Sequence, residues 1–196
     1  MAFDFTGKRV VVCGGSRGIG RSIALGFAEA GADVSVCARG QAALDAVRAE
    51  IEALGRKGHA ASCDLADKAA IQSYIADAAR ALGGIDVLVN NASGFGMSDD
   101  EAGWAAGLSV DVMAMVRASR AALPALERSS GASIIHVSSI SGLRPSTRTP
   151  AYAAVKATMI HYTQSQAAAL ARKGIRVNCI APGSIDRKST RLNSSH

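Results

Sequence analysis

Tyr152 and Lys156 lie four residues apart in the stretch PAYAAVKATMIHY, residues 150–162. On a helix that spacing puts both side chains on one face. A free tyrosine titrates near ~10 and is a poor acid or base at neutral pH. A lysine ammonium ~4 Å away favours the phenolate by roughly 1–4 kcal/mol, depending on the local dielectric. The pair therefore suits proton transfer. The alternative is a buried aromatic with an incidental lysine. Tyr162 has Gln166 at the same offset and is assigned to packing. Ser139 stands thirteen positions before Tyr152, just after the apolar run SIIHVS (133–138), and could hydrogen-bond a substrate oxygen. Ser138, Ser141, His136 and His161 read as structural residues.

A second constellation lies near the start. In VVVCGGSRGIGRSIA, Gly14, Gly18 and Gly20 follow an apolar strand-like run and open a helix-like one. Glycines allow a sharp turn and close approach to a pyrophosphate, and a helix N-terminus offers free N–H groups and a positive dipole end. This points to a dinucleotide. At the end of the next apolar run an acidic residue would bind ribose hydroxyls and repel a 2′-phosphate. Here Ala38 and Arg39 stand in its place, and Arg17 lies within the glycine turn. Two guanidiniums without a carboxylate suit NADP, with NAD less favoured.

The elements needed to position these residues follow from periodicity. Residues 9–13, 33–38, 59–63, 86–90, 133–138 and 175–181 are short apolar runs that read as strands, mostly without alternation, as expected when both sheet faces are covered. Helical patterns occupy 18–30, 41–54, 67–82, 100–128 and 151–173, with Gly31, Gly55, Gly83 and Gly174 at their ends. Six strands with five crossovers predict one α/β domain built on a doubly wound parallel sheet.

Composition excludes other classes. Of 196 residues 48% are apolar and 19% charged, a globular balance, and no apolar run approaches a membrane span. No signal peptide is evident, and the cytoplasm is the expected location. Cys13, Cys37, Cys63 and Cys179 form no CxxC pair and read as free thiols, with no metal site expected. The net charge of +6 falls to +4 without the last eleven residues, and the basic groups are scattered, so no nucleic-acid partner is expected.

The chain resembles the short-chain dehydrogenase/reductase family over about residues 6–185. The residues carrying the resemblance are GGSRGIG, Asp64-Leu65, NNAS (90–93), Ser139, the Tyr152/Lys156 pair and RVNCIAPGSI (176–185). The resemblance implies a Rossmann fold of strand order 3-2-1-4-5-6. It also implies a cofactor cradle of Gly14, Gly15, Ser16, Arg17, Gly18, Ile19 and Gly20, with Arg39 at the 2′-phosphate. Asp64 would bind the adenine amino group with Leu65 alongside. Asn91, Ala92 and Ser93 would line the ribose, and Pro182, Gly183 and Ile185 would flank the nicotinamide. Tyr152 would be the general acid–base, Lys156 would also hold the nicotinamide ribose, and Ser139 would bind the substrate oxygen. The implied activity is hydride transfer between NADP and a carbonyl or secondary alcohol, of the 3-oxoacyl-reductase or small-alcohol kind, by a homodimer or homotetramer. The alternative is a nucleotide-binding relative or fragment without catalysis.

Three departures from the family pattern stand out. Cys13 replaces a threonine before the glycine turn, and Ser93 replaces a glycine. Asp111 stands where the family usually has an asparagine, whose backbone carbonyl holds a relay water. A carboxylate there keeps the backbone role and strengthens the hold on Lys156. Finally, DRKSTRLNSSH (186–196) has one apolar residue and matches the in-frame translation of a common sequencing adapter. It reads as a non-native tail, leaving a catalytic domain over 1–185 that lacks the family's last strand and substrate lid.

Overall fold

The computed structural model describes residues 3–183. Strands β1 (Arg9–Cys13), β2 (Asp33–Ala38), β3 (Gly58–Ser62), β4 (Val87–Asn90), β5 (Ser133–Val137) and β6 (Arg176–Ile180) form one sheet, in the order β3-β2-β1-β4-β5-β6. Every neighbouring pair is parallel. The strand order reverses between β1 and β4, which opens a crevice at their carboxyl ends. The expected boundaries hold to within a residue or so.

Covering both faces explains why the strands do not alternate in polarity. On one face Val11, Leu88 and Ile134 pack with Ile71, Tyr74 and Ile75 of α3 (Lys68–Leu82) and Ala118 and Ala122 of α5 (Ala114–Leu126). On the other, Val10, Val12, Val34 and Val36 meet Ala24 and Ala28 of α1 (Gly18–Glu29) and Leu44, Val47 and Ile51 of α2 (Gln41–Ala53). Cys13, Cys37 and Cys63 are free and buried on the α3 face. Burial pushes the Cys37 thiol well up, and contact with Cys37 together with burial does the same for Cys63, so both stay protonated.

The expected single helix over 100–128 is instead interrupted. It comprises α4 (Glu101–Ala106), a π-helical segment (Gly107–Met113) and α5. A π turn holds an extra residue and often marks a functional site. Here it buries Asp111, which is 1% exposed. The long helix α6 (Pro150–Leu170) begins on a proline, as a first helical turn permits, and packs against β6.

Asp86, at the head of β4, ties the lower edge of the sheet together. Its Oδ2 accepts from Arg9 N–H at 2.8 Å and Arg9 Nε at 2.7 Å, and its Oδ1 accepts from Ser129 Oγ at 2.6 Å. Burial pushes this carboxyl up, but the bonds from Arg9 and Ser129 and the Arg9 charge outweigh it and leave it at about 2. That is below the ordinary ~3.9 of an unfolded aspartate, so the stabilisation is present above about pH 4 and is lost as pH falls towards 2. Asp86→Asn is expected to lower Tm at neutral pH and to flatten this acid limb, an effect of at most about 2.5 kcal/mol. Melts between pH 2 and 7 would contradict this if the variant lost stability on acidification as steeply as the parent.

Candidate functional site

The glycine turn lies where β1 meets α1, and two other segments, the end of β2 and the stretch after β4, close upon it. Gly14 and Gly15 N–H groups both donate to Cys37 O at 3.0 Å, and Asn91 Nδ2 donates to Gly14 O at 2.8 Å. Gly20 sits against that same carbonyl. A Cβ there would overlap Gly14 O and lie 2.5 Å from Asn91 Nδ2. Helix α1 starts at Gly18, and the first helical acceptor, Arg17 O, is taken by Arg21 N–H at 3.3 Å. Among the described residues the N–H groups of Gly18, Ile19 and Gly20 therefore have no partner, at a positive helix end. This cradle fits a pyrophosphate.

Arg17 and Arg39 are both exposed, on the turn and just past β2, and Ala38 ends that strand. Among the described residues neither arginine forms an ion pair. Asp64 is exposed, and one of its oxygens accepts Ala66 N–H at 2.9 Å. Leu65 is buried in the core beside it. Across the crevice, Asn91 N–H donates to Cys13 O at 3.1 Å, which keeps residues 91–93 beside the turn despite the cysteine. Ser93 Oγ accepts Phe95 N–H at 3.1 Å, bracing a backbone that carries Phe95 at φ 51°. The serine thus holds the following bend.

The proton-transfer candidates converge at the carboxyl ends of β5 and β6. Ser139 caps a short 3₁₀ turn, its Oγ accepting Ser141 N–H at 3.1 Å, so its own hydrogen is free to donate. Ser138 Oγ donates to Lys156 O at 2.8 Å, fastening α6 to the end of β5. Gly142 lets the 3₁₀ turn approach: a Cβ on it would stand 2.7 Å from the Lys156 carbonyl carbon. Ser138 is structural, as expected, and Gly142 is a support that sequence reasoning missed.

Lys156 is 2% exposed. Its Nζ lies 2.9 Å from Asp111 Oδ1, 3.1 Å from Val137 O and 3.6 Å from Met159 Sδ. The ammonium is 5.6 Å from the Tyr152 ring centroid. Tyr152 itself is half-buried. Pro182 O accepts Ile140 N–H at 3.0 Å, and Gly183 faces the Ile140 side chain, so this segment borders the Ser139 turn. Ile185 and the 186–196 tail lie outside the described residues.

His136 behaves as a satisfied core histidine. It is fully buried between Asn90 Nδ2 at 3.1 Å and Gln166 Oε1 at 2.9 Å, and burial holds it below the usual histidine range. Tyr162 lies tilted near it, and among the described residues no lysine ammonium lies over its ring. Two cavities lie away from this edge. One, of about 280 Å³, is beside Arg9 and Gly83, and the other, of about 340 Å³, is between α5 and α6. Among the described residues no acidic, histidine or cysteine cluster could hold a metal, and no helix is long and apolar enough to cross a membrane.

Residues 8–195 match the family described as short chain dehydrogenase. This chain belongs to that family. A short-chain dehydrogenase is an oxidoreductase that uses a nicotinamide cofactor. The chain is 38% identical to an uncharacterised oxidoreductase of Mycobacterium tuberculosis over 188 residues, covering 93% of itself and 71% of that relative. It resembles a short chain dehydrogenase of Burkholderia cenocepacia solved with NADP (TM-score 0.88, 42% identity, 92% of this chain and 76% of that one). It also resembles 7α-hydroxysteroid dehydrogenase solved with NADH and 7-oxo glycochenodeoxycholic acid (TM-score 0.90, 31% identity, 97% and 76%).

Proposed function

We propose that this short-chain dehydrogenase is NADP-dependent and interconverts a carbonyl and a secondary alcohol. The substrate is of the 3-oxoacyl or small-alcohol kind, and Tyr152 is the acid–base. The observation that carries this is Lys156, a fully buried ammonium next to the Tyr152 ring, on the helix fastened to the Ser139 turn. The ion pair with Asp111 keeps this buried charge in place beside Tyr152, which suits it to assist proton transfer there. When bound, the nicotinamide supplies or accepts the hydride. Ser139 donates its hydroxyl hydrogen to the substrate oxygen. Tyr152 gives its proton to that oxygen on reduction and takes it on oxidation. Lys156 lies beside the Tyr152 ring and would hold the nicotinamide ribose. The Gly14–Gly20 turn, Asp64, Leu65, Asn91–Ser93, Pro182 and Gly183 hold the cofactor.

Some solved relatives carry NADP or NADPH and others NAD or NADH, so the choice of cofactor rests on Arg17, Arg39 and Ala38. NADPH is expected to bind at least about tenfold tighter than NADH, worth about 1.4 kcal/mol. Arg39→Asp should reverse the order. Fluorescence titration of both cofactors tests this, and equal dissociation constants in the parent protein would refute it. A second reading, nucleotide binding without catalysis, draws on the engagement of Lys156 with Asp111, Val137 and Met159. Turnover with NADPH separates the two.

A further inference from the structure

Asp111 joins two parts of the site. Its Oδ2 accepts Gly94 N–H at 2.7 Å, and its Oδ1 lies 2.9 Å from Lys156 Nζ. The Oδ1 contact lies off the line of a hydrogen bond, and among the described residues no other donor reaches that oxygen. Gly94 directly follows the cofactor-side segment 91–93, whereas Lys156 belongs to α6. The approach is tight on both sides. A Cβ on Gly94 would overlap Ala106 O, and one on Gly107 would stand 3.1 Å from Val155 Cγ2. The π segment that carries Asp111 is thus wedged between the 91–94 loop and the catalytic helix.

Both partners of this carboxylate are donors, an amide N–H and an ammonium. A carboxylate can meet both because each oxygen accepts. An asparagine of the same shape cannot: one of its two terminal atoms would be an NH₂ facing another donor. The carboxylate found at this position therefore suits both contacts at once.

On the reading of Lys156 given above, we propose that Asp111 is a positioning residue that couples the 91–94 cofactor loop to Lys156, so that ordering one orders the other. Cofactor contact with the loop is then felt at the lysine, and the lysine's pairing is felt by the loop.

A double-mutant cycle on NADPH dissociation constants tests this without requiring turnover. Gly94→Ala displaces the amide and Lys156→Met removes the ammonium. Among the described residues no hydrogen bond joins these two directly, so without coupling through Asp111 their effects on Kd should multiply. With Asp111 present, the double variant is expected to fall short of the product by about fivefold to tenfold. In an Asp111→Asn background, which keeps shape and removes one acceptor, the two effects should multiply to within about twofold. Asp111→Ala provides a second background, and thermal melts show that each variant is folded. Effects that multiply with Asp111 intact would overturn the proposal, as would a shortfall that survives both Asp111 substitutions. Turnover by Tyr152→Phe would instead refute the catalytic reading, leaving the cycle unaffected.

Discussion

Tyr152→Phe is expected to reduce kcat at least about a thousandfold while changing NADPH affinity less than about threefold. The substitution removes one oxygen and its proton. The ring, 5.6 Å from Lys156 Nζ, stays in place, and so do the bonds that fasten α6 to β5 through Ser138. The loss therefore falls on proton transfer and spares cofactor binding. Tyr162→Phe is the matched control. Tyr162 packs near His136 and, among the described residues, has no lysine ammonium over its ring, so turnover should change little. A Tyr152→Phe protein keeping a tenth or more of parental kcat would remove Tyr152 as the acid–base.

Gly20→Ala should weaken NADPH binding by about a hundredfold or more, equivalent to about 2.7 kcal/mol. The added methyl has nowhere to go, because its nearest neighbours are the Gly14 carbonyl and the Asn91 amide, which bind each other. Those are backbone and a fixed side chain, so relief comes only by moving the turn away from the 91–93 segment or tilting the start of α1. Either movement misaligns the N–H groups of Gly18 to Gly20. Overpacking of this kind costs about 1–3 kcal/mol of stability as well, so the melt and the titration belong together. Gly26→Ala is the control on the same helix, since a Cβ there meets no neighbour within 4 Å. Equal NADPH affinity for Gly20→Ala and the parent would contradict the cradle.

Much of this architecture was legible in the sequence because it depends on local pattern. Val10–Val12 and Val34–Val36 read as strands buried on both sides, and they are. Gly31, Gly55, Gly83 and Gly174 marked helix ends, and all four have positive φ. The Tyr152/Lys156 offset and the glycine turn stood out for the same reason: both are spacings within one element or one junction. The interruption of the 100–128 helix did not stand out. It coincides with the tertiary contacts of Asp111, turned inward between Gly94 and Lys156, of which helical periodicity carries no sign. The supporting roles of Ser138 and Gly142 depend on how closely the end of β5 approaches α6, which no pattern in either stretch states. The hold of Asp111 on Lys156 was anticipated from its charge; its second bond, to Gly94, came only with the fold.

The most direct test is isotopic transfer. The parent protein, Tyr152→Phe and Arg39→Asp are each incubated, in separate reactions, with NADPH or NADH deuterated at the transferable nicotinamide position, together with a 3-oxoacyl thioester and a small ketone. Mass spectrometry then measures deuterium on the alcohol carbon. Deuterated alcohol from the parent, none from Tyr152→Phe, and a shift to deuterated NADH in Arg39→Asp is the expected result. Tight NADPH binding by the parent with no deuterium in either product, or equal transfer by the parent and Tyr152→Phe, would contradict an NADP-dependent oxidoreductase working through Tyr152.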